Sequence, residues 1–230
     1  NTKHKIPQVK LYLDMVYSAL VLGFSFHEYF YYSFYLKNRS ERMKFASMSY
    51  MYEFQLKNNP NKYRFYLEDK IIFLKEYGNY IGREWLSLEK CTLNELEAFL
   101  VEKSKVVLKN SKGGAGKNVA VLSLKEHTAA SLRNYTHQHQ FDLVEEFVFQ
   151  HPSLMKLSPN SLNTIRLITQ LNRVGQVEII GTILRMGIDL NTDNLSTGGI
   201  ACPINLETGK LCGHGISFDI TKPDYFSHPV

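Results

Sequence analysis

A lysine followed by a glycine-rich stretch carries the clearest chemistry in this sequence of 230 residues. The β-branched run Val106–Leu108 ends at Lys109, residues 111 to 118 read SKGGAGKN, and the apolar run Val119–Leu122 follows. Glycines let backbone N–H groups approach an anion without a Cβ in the way, and the lysines add positive charge. The pattern predicts two strands joined by a loop that folds over a phosphate group.

Two better-known phosphate motifs do not fit this stretch. A P-loop reads GxxxxGK followed by Ser or Thr, whereas Ser111 here replaces the first glycine and Asn118 the final hydroxyl residue. A P-loop also opens a helix, but Val119–Leu122 is strand-like. In protein kinases the glycine loop precedes the phosphate-binding lysine, and here Lys109 comes first. An ordinary β-hairpin with a basic tip is the alternative interpretation.

A pair of carboxylates interrupts a second apolar run. Residues 141 to 149 read FDLVEEFVF, which predicts a buried strand that contains Glu145 and Glu146. Either the pair lies at a solvent-facing strand end, or it belongs to a hinge beside a ligand. In a hinge, both backbone groups and a carboxylate can form hydrogen bonds with the ligand.

Two arginines lie in a long predicted hairpin. Residues 163–169 alternate strictly, a turn follows, and residues 176–186 return with Arg185 near their end. Arg166 lies in the first strand of this hairpin. An arginine within an apolar strand is costly unless it is paired. Each arginine is therefore expected to meet an anion, either a carboxylate of the protein or a ligand phosphate.

Helices are expected to flank these strands. Thr92 to Glu95 and Ser123 to Glu126 both fit the capping-box pattern, which predicts one helix from residue 93 and another from 124 to about 138. His137 and His139 fall in the last turn of the second helix. No third ligand is spaced to join them, so the sequence leaves the metal ligands unknown.

Composition and charge narrow the class of protein. Lys and Arg exceed Asp and Glu by 27 to 22, which suits phosphorylated ligands or an anionic surface. No nucleic-acid-binding motif accompanies this excess. The three cysteines are odd in number and widely spaced, so neither a disulfide framework nor a Cys-x-x-Cys site is indicated. With no signal-peptide pattern at the first residues, a cytoplasmic protein is expected.

The most apolar stretch lies near the start of the chain, at residues 11–36. Asp14 precedes its core and Glu28 interrupts it, so the uncharged run is shorter than the roughly 20 residues that span a bilayer. Buried helices of a helical cap are the preferred interpretation. A peripheral contact with a membrane surface is the alternative, because basic residues follow at positions 37–44.

Several short motifs in one order resemble a known family. They are Asp69-Lys70, Val106 to Lys109 with the loop to Val119, Leu143 to Phe147, Gln150 to Pro152, Ser161 to Arg166, Leu184-Arg185, and Asp193 to Ile200. Over residues 11–230 the set resembles the ATP-grasp superfamily, most closely the sugar-transfer-associated ATP-grasp family. The late pattern of two arginines, an asparagine and a glycine pair is also similar to that of ribosomal-protein glutamate ligases.

The resemblance implies an α+β fold in which two α+β subdomains sandwich ATP. Residues 1–66 would form a helical N-terminal region, with a boundary at the helix-breaking sequence NNPN of residues 58–61. Residues 67–147 would form the small subdomain with the phosphate lid, and residues 148–230 the large subdomain. The latter is expected to be incomplete, because the chain stops before the aspartate and Glu-x-Asn that serve ATP-grasp enzymes as magnesium ligands.

The resemblance also implies a nucleotide site. Lys70 and Lys109 would bind the ATP phosphates, and Mg²⁺ would bridge those phosphates. A lid made by Gly113, Gly114 and Gly116 would close over the phosphates. The adenine hinge would be formed by Glu145, Glu146 and Phe147.

Catalytic roles follow from the same resemblance for three further residues. Arg166 and Arg185 would face the transferring phosphoryl group or the acyl phosphate, where guanidinium donors stabilise developing charge. Asn194, with Gly198 and Gly199, would shape the acceptor side of the site.

The reaction implied is the activation of a carboxylate by ATP, followed by attack of an amine to form an amide. Its substrates would be a carboxylate and an amine, sugar-linked if the chain serves surface polysaccharide biosynthesis, and the chain would associate with glycosyltransferases or a membrane surface. Two alternatives stay open: a non-catalytic nucleotide-binding partner of glycosyltransferases, and an ATP-dependent phosphotransferase. Nucleic acid is not an expected partner.

Overall fold

A computed structural model describes residues 6–114, 118–188 and 192–229 of the chain. The chain forms two compact units, residues 1–65 and residues 66–230. We call them unit 1 and unit 2.

Unit 1 is helical. Its helices are α1 (Gln8–Leu20), α2 (Phe26–Tyr31), α3 (Arg39–Arg42), α4 (Met48–Asn58) and α5 (Asn61–Glu68), the last of which crosses the unit boundary. The helix break predicted at residues 58–61 is confirmed, because α4 ends at Asn58 and α5 begins at Asn61. An aromatic core of Phe24, Tyr29 and Phe34 holds the unit together, and Leu11 and Met15 pack against it from α1.

A partly buried ion pair ties α1 to α3. Both guanidinium nitrogens Nη1 and Nη2 of Arg42 donate to the carboxylate of Asp14, each at 2.7 Å. Arg42 also donates to the backbone oxygens of Phe34 and Lys37, and the Tyr29 hydroxyl donates to Asp14. In the part of the chain that the structure describes, no helix is long and apolar enough to cross a bilayer.

Unit 2 contains two four-stranded antiparallel sheets, and the predicted α+β class is confirmed. The first sheet has the order β1-β4-β2-β3 and the second the order β5-β6-β7-β8. The strands are β1 (Trp85–Ser87), β2 (Lys105–Lys109), β3 (Val119–Ser123), β4 (Leu143–Glu146), β5 (Thr164–Leu171), β6 (Val177–Met186), β7 (Ile200–Pro203) and β8 (Ile216–Ser217). The helices are α6 (Lys70–Glu76), α7 (Leu93–Leu100), α8 (Ala129–His139) and α9 (Pro152–Leu157).

Alternation along β2 gives the first sheet a core face and a cavity face. Val106 and Leu108 are fully buried and pack with Leu96 of α7 and Leu132 of α8. Burial of a leucine or valine side chain contributes about 2 kcal/mol, so this cluster fixes the two helices against the sheet. Because successive side chains point to opposite faces, Lys109 is turned away from this core.

The strands predicted around the glycine-rich stretch are confirmed. β2 and β3 pair in an antiparallel register that sets Lys109 opposite Val119. The predicted helix start at Thr92 is also confirmed, because Thr92 and Glu95 form a complete capping box.

The predicted helix from residue 124 to 138 is wrong at its start. Ser123 still pairs with Lys105 in the sheet, and the amide of Leu124 donates to the carbonyl of Ser104 at 2.9 Å. These bonds hold the chain extended, so only a 3₁₀ turn forms before α8. The helix instead begins after Thr128, whose hydroxyl accepts from the amide of Ser131.

One further boundary differs from expectation. The strand predicted over residues 141–149 is limited to β4, which ends at Glu146. Earlier in the chain, α5 ends at Glu68, and the carboxylate of Asp69 caps the first turn of α6 by accepting from the amides of Ile71 and Ile72.

The long hairpin predicted for residues 163–186 is confirmed as β5 and β6. Its turn uses Gly175 at φ +80°, a conformation that glycine adopts without strain. β7 pairs with β6 only from Ile183 to Met186, so the outer part of the hairpin is two-stranded within the described residues. A subdomain boundary at residues 147 and 148 would fall between the two sheets and stays a prediction.

Candidate functional site

A cavity of about 300 Å³ lies in unit 2 and is lined by residues of both sheets. Val107 and Val121, which face each other across β2 and β3, form an apolar wall with Phe147 and Leu162. Ligand cavities in proteins combine such apolar walls with a few placed polar groups. The polar groups here include Lys70, Lys109, Arg83 and Glu145.

The loop after β2 is anchored near its start, at Ser111. The amide and hydroxyl of Ser111 each donate to a different carboxylate oxygen of Asp142, both at 2.6 Å. The carbonyl of Ser111 accepts from the amide of Lys70 at 3.0 Å. Ser111 is buried, so the loop has a fixed starting point at the edge of the cavity.

Lys70 reaches the same loop with its ammonium group. Its Nζ donates to the carbonyls of Asn110 at 3.1 Å and Ser111 at 3.2 Å, and also to that of Gly113. Burial lowers the pKa of Lys70, and the charge of nearby Lys109 lowers it further. Lys70 and Lys109 both line the cavity, which therefore holds two ammonium groups.

The loop glycines line the cavity where the structure describes them. Gly113 and Gly114 both do so, and a Cβ added at Gly114 would meet nothing within 4 Å. Gly116, which was predicted to belong to the lid, lies outside the described residues, as does Lys117.

Glu145 is the most buried charged group of the cavity, with a side chain that is 3% exposed. Its Oε2 accepts from Nζ of Lys109 at 2.7 Å and from Nε of Arg83 at 2.5 Å. Burial acts to raise the pKa of this carboxyl, but the hydrogen bonds and charges of Arg83 and Lys109 outweigh it and the pKa is lowered. Glu145 is therefore ionised at neutral pH.

The predicted hinge is the point where β4 leaves the sheet. The amide of Glu146 donates to the carbonyl of Glu84 at 2.9 Å, and the amide of Glu84 donates to Oε2 of Glu146 at 3.0 Å. Phe147 and Val148 follow the end of the strand and line the cavity. Their role as an adenine hinge stays a prediction.

Asp193 is a further polar group of the cavity and belongs to the segment between β6 and β7. Its Oδ2 accepts from the hydroxyl of Thr164, and its Oδ1 accepts from Nη2 of Arg185 at 3.0 Å. Burial lowers the pKa of Arg185, Asp193 opposes this effect, and the charge of Arg166 adds to it. Nε of Arg185 is buried and has no hydrogen-bond partner among the described residues.

The three predicted catalytic residues do not line the cavity themselves. Arg185 contacts it through Asp193, whereas Arg166 is exposed on β5 opposite Ile183. Asn194 caps the 3₁₀ helix Leu195–Thr197, and its carbonyl accepts from the amide of Gly199 at 2.9 Å. Their catalytic roles stay predictions.

Seven of the eight predicted nucleotide-binding residues line this one cavity. They are Lys70, Lys109, Gly113, Gly114, Glu145, Glu146 and Phe147. Five polar lining residues were not among the predicted site residues, namely Arg83, Asn160, Thr164, Thr192 and Asp193. Thr164 and Asp193 belong to motifs that carried the resemblance and could have been chosen on that basis. No sequence signal pointed to Arg83.

The residues that the structure describes do not form a magnesium site by themselves. Within residues 6–114, 118–188 and 192–229 no three His, Cys, Asp or Glu side chains gather into a cation site. The two most buried carboxylates of the cavity are already engaged, Glu145 by Lys109 and Arg83, and Asp193 by Thr164 and Arg185.

Two antiparallel sheets that enclose a cavity with a lysine, a glycine loop and an acidic hinge define an ATP-grasp fold. Within that class, the family model described as sugar-transfer associated ATP-grasp matches residues 49–230, and the chain belongs to this family. No curated protein matches the chain.

Proposed function

We propose that this protein is an ATP-dependent carboxylate–amine ligase that forms an amide through an acyl phosphate. Its family supports an activity of the ATP-dependent ligase type. The observation that carries the proposal is the cavity in which Lys70, Lys109, the loop glycines and the Glu145–Phe147 hinge come together. The apolar wall suits a purine ring, and the cationic end suits its phosphates.

In the first step, an oxygen of the substrate carboxylate attacks the γ-phosphorus of ATP, and ADP leaves. An amine then attacks the carbonyl carbon of the acyl phosphate, and inorganic phosphate leaves as the amine loses a proton. Arg185 is the candidate for stabilising the transferring phosphoryl group, since its buried Nε has no partner among the described residues. Arg166 lies on the neighbouring strand and adds positive charge.

The decisive experiment is to assay ADP formation with pools of candidate carboxylates and amines. For a ligase, ADP formation requires both substrates, and hydroxylamine in place of the amine traps the activated carboxylate as a hydroxamate. A phosphorylated product that forms without an amine would instead identify a phosphotransferase. Sugar acids and amino sugars belong in the first pool, because the family is associated with sugar transfer.

A non-catalytic nucleotide-binding partner of glycosyltransferases is the second candidate. One observation favours this candidate: Glu145 and Asp193, the two buried carboxylates of the cavity, are both paired with cations. Carboxylates paired in this way can stabilise a nucleotide pocket without taking part in a reaction. ATP binding without ADP formation in any substrate pool, with a glycosyltransferase retained by the nucleotide-bound chain, would support this candidate over the ligase.

A cytoplasmic protein that contacts an anionic membrane surface is our proposal for location. Residues 1–65 carry ten lysines and arginines against four acidic residues, whereas residues 66–230 carry 17 against 18. On α1, Val9, Leu13 and Leu20 share one face and are 61 to 82% exposed. Basic charge beside an exposed apolar helix face suits anionic lipid.

Co-sedimentation with vesicles tests this contact. The chain is expected to bind vesicles with 30% phosphatidylserine more strongly than neutral ones, following the roughly 1 kcal/mol that each nearby lysine or arginine contributes. Leu13→Ser with Leu20→Ser should abolish binding, and Leu206→Ser, an exposed leucine of unit 2, should not. Equal binding by all these variants would refute the proposal.

A further inference from the structure

Two cations share one carboxylate oxygen in the cavity. Oε2 of Glu145 accepts from Lys109 at 2.7 Å and from Arg83 at 2.5 Å. One negative charge therefore faces two positive charges. The excess positive charge is available to an anion that enters the cavity.

Arg83 is held in place independently of Lys109. It precedes β1, in which Trp85 lies directly opposite Glu145 of β4. The neighbouring Glu84 forms two hydrogen bonds with Glu146, one through its carbonyl and one through its amide. Movement of Lys109 would leave these contacts intact.

Lys109 has a reason to leave the carboxylate when an anion is present. It ends β2 at the start of the phosphate loop, and its charge acts on Lys70, which lines the same cavity. A phosphate placed between the two ammonium groups would relieve their repulsion. Such a phosphate would compete with Glu145 for the ammonium group of Lys109.

Without a second cation, movement of Lys109 to the phosphate would leave the buried carboxylate of Glu145 unpaired. A buried carboxylate that loses its only partner is strongly destabilised, and the side chain of Glu145 is 3% exposed. We propose that Arg83 is a positioning residue that keeps Glu145 ionised and in place while Lys109 exchanges this carboxylate for a nucleotide phosphate. The inference rests on the proposed nucleotide site and assigns to Arg83 the preference for polyphosphate over the bare nucleoside.

Arg83→Gln tests the proposal by calorimetric titration with ATP and with adenosine. ATP should bind roughly ten- to a hundredfold more weakly, because the lone Lys109 stays on Glu145. Adenosine recruits no phosphate-binding lysine, so its affinity should not change. The sole tryptophan, Trp85, is opposite Glu145 and gives a second readout by fluorescence.

Proton uptake separates this role from simple loss of a positive charge. The cations acting on Glu145 are Lys109 from β2, Arg83 before β1 and Lys70 from α6. In Arg83→Gln, Glu145 should take up a proton when Lys109 leaves, so ATP binding should strengthen as pH falls from 8 to 5. The wild-type protein should show no such uptake between these pH values.

A double variant and a matched control complete the test. Adding Glu145→Gln to Arg83→Gln removes the group that takes up the proton, so the dependence of ATP binding on pH should disappear. Arg83→Lys should keep ATP affinity within about threefold if charge is what matters. Lys103→Gln removes a cation that pairs with Glu84 at 2.6 Å and does not line the cavity, and it should change nothing.

Two results would overturn the inference. The first is an Arg83→Gln variant with wild-type ATP affinity and no proton uptake. The second is equal loss of ATP and adenosine binding in both Arg83 variants, which would make Arg83 a structural support of the pocket. If the wild-type protein bound neither ligand, the proposed nucleotide site itself would fail, and the two failures are thereby distinguished.

Discussion

Arg185 and Asp193 form a buried ion pair, with 3.0 Å between Nη2 and Oδ1 and side chains that are 10 and 12% exposed. The pair joins strand β6 to the segment that leads into β7. Because Thr164 of β5 also donates to Asp193, this carboxylate connects three parts of the second sheet. Its position decides where the guanidinium group of Arg185 lies.

Asp193→Asn should destabilise unit 2 by about 3 kcal/mol, because it leaves a buried guanidinium group without its counter-ion. Urea unfolding followed by Trp85 fluorescence measures this loss. The exposed pair of His214 and Asp224, with side chains 43 and 55% exposed, supplies the control. Asp224→Asn should cost less than about 1 kcal/mol, and equal costs for the two variants would contradict the argument.

Arg166→Ala and Arg185→Ala should each lower the rate of ADP formation by about 100-fold if they stabilise the transferring phosphoryl group. Arg166 is exposed, so its removal should leave unfolding within about 0.5 kcal/mol of wild type. It thereby tests chemistry without a change in folding. Lys156→Ala, in the last turn of α9, is the matched control. Undiminished ADP formation in both arginine variants would refute their catalytic role.

Lys109→Ala should abolish ATP consumption for a different reason, since it removes a phosphate ligand and leaves Arg83 as the partner of Glu145. Arg83 keeps the carboxylate paired, so the variant should stay folded. Thermal unfolding and ATP titration together check this expectation. ATP affinity equal to that of the wild-type protein would exclude Lys109 from the phosphate site.

Gly199→Ala should disturb the segment that carries Asp193. A Cβ at this position would lie 2.6 Å from the carbonyl oxygen of Asp193 and 3.0 Å from that of Asn194. Backbone atoms cannot move aside cheaply, so we expect a loss of about 1–3 kcal/mol and a fall in activity. Gly82→Ala, where a Cβ meets nothing within 4 Å, should leave both unchanged. Equal behaviour of the two variants would show that the close approach is unimportant.

Acid should weaken unit 1 through the pair of Asp14 and Arg42. The hydrogen bonds from Arg42 lower the pKa of Asp14 below its ordinary value of 3.8, and burial only partly opposes them. The stability that the ionised Asp14 gives unit 1 is fully present above pH 3.8 and is lost as pH falls through the lowered pKa. Amide hydrogen exchange of α1 and α3, measured from pH 5 downwards, should show their protection begin to fall only below pH 3.8.

Asp14→Asn should remove this acid sensitivity and lower protection already at neutral pH. Because Arg42 then keeps only neutral partners, a loss of about 3 kcal/mol is expected. Glu53→Gln, on the exposed side of α4, is the control and should behave as wild type. Acid loss that persists in Asp14→Asn would assign the effect to other carboxylates.

Local patterns predicted the elements that depend on local forces. The alternation of side chains along β2, β5 and β6 was sufficient to predict these strands, and the capping box at Thr92 was sufficient to predict the start of α7. Strand faces and helix starts follow from neighbouring residues. Ser123 fits the same capping pattern but its backbone belongs to the sheet, and pairing with Lys105 prevents a helix there. Tertiary pairing thus overrides a correct local signal.

Arg83 shows what a single sequence cannot reveal. Its contact with Glu145 spans 62 positions and exists because β1 pairs with β4. β1 has only three residues, too few for a clear period. The two lysines and the hinge were predicted through the family resemblance, whereas the cation that pairs with the hinge carboxylate could be found only after the strand order was known.

The hairpin of β5 and β6 has a consequence for the behaviour of the chain in solution. In the described part of the protein β5 is an outer strand of its sheet, and Ile165, Leu167 and Leu171 are 56 to 65% exposed along it. An open strand edge with aliphatic side chains is a template for self-association. Light scattering should therefore rise with protein concentration, and a Leu167→Lys substitution should keep the chain dispersed.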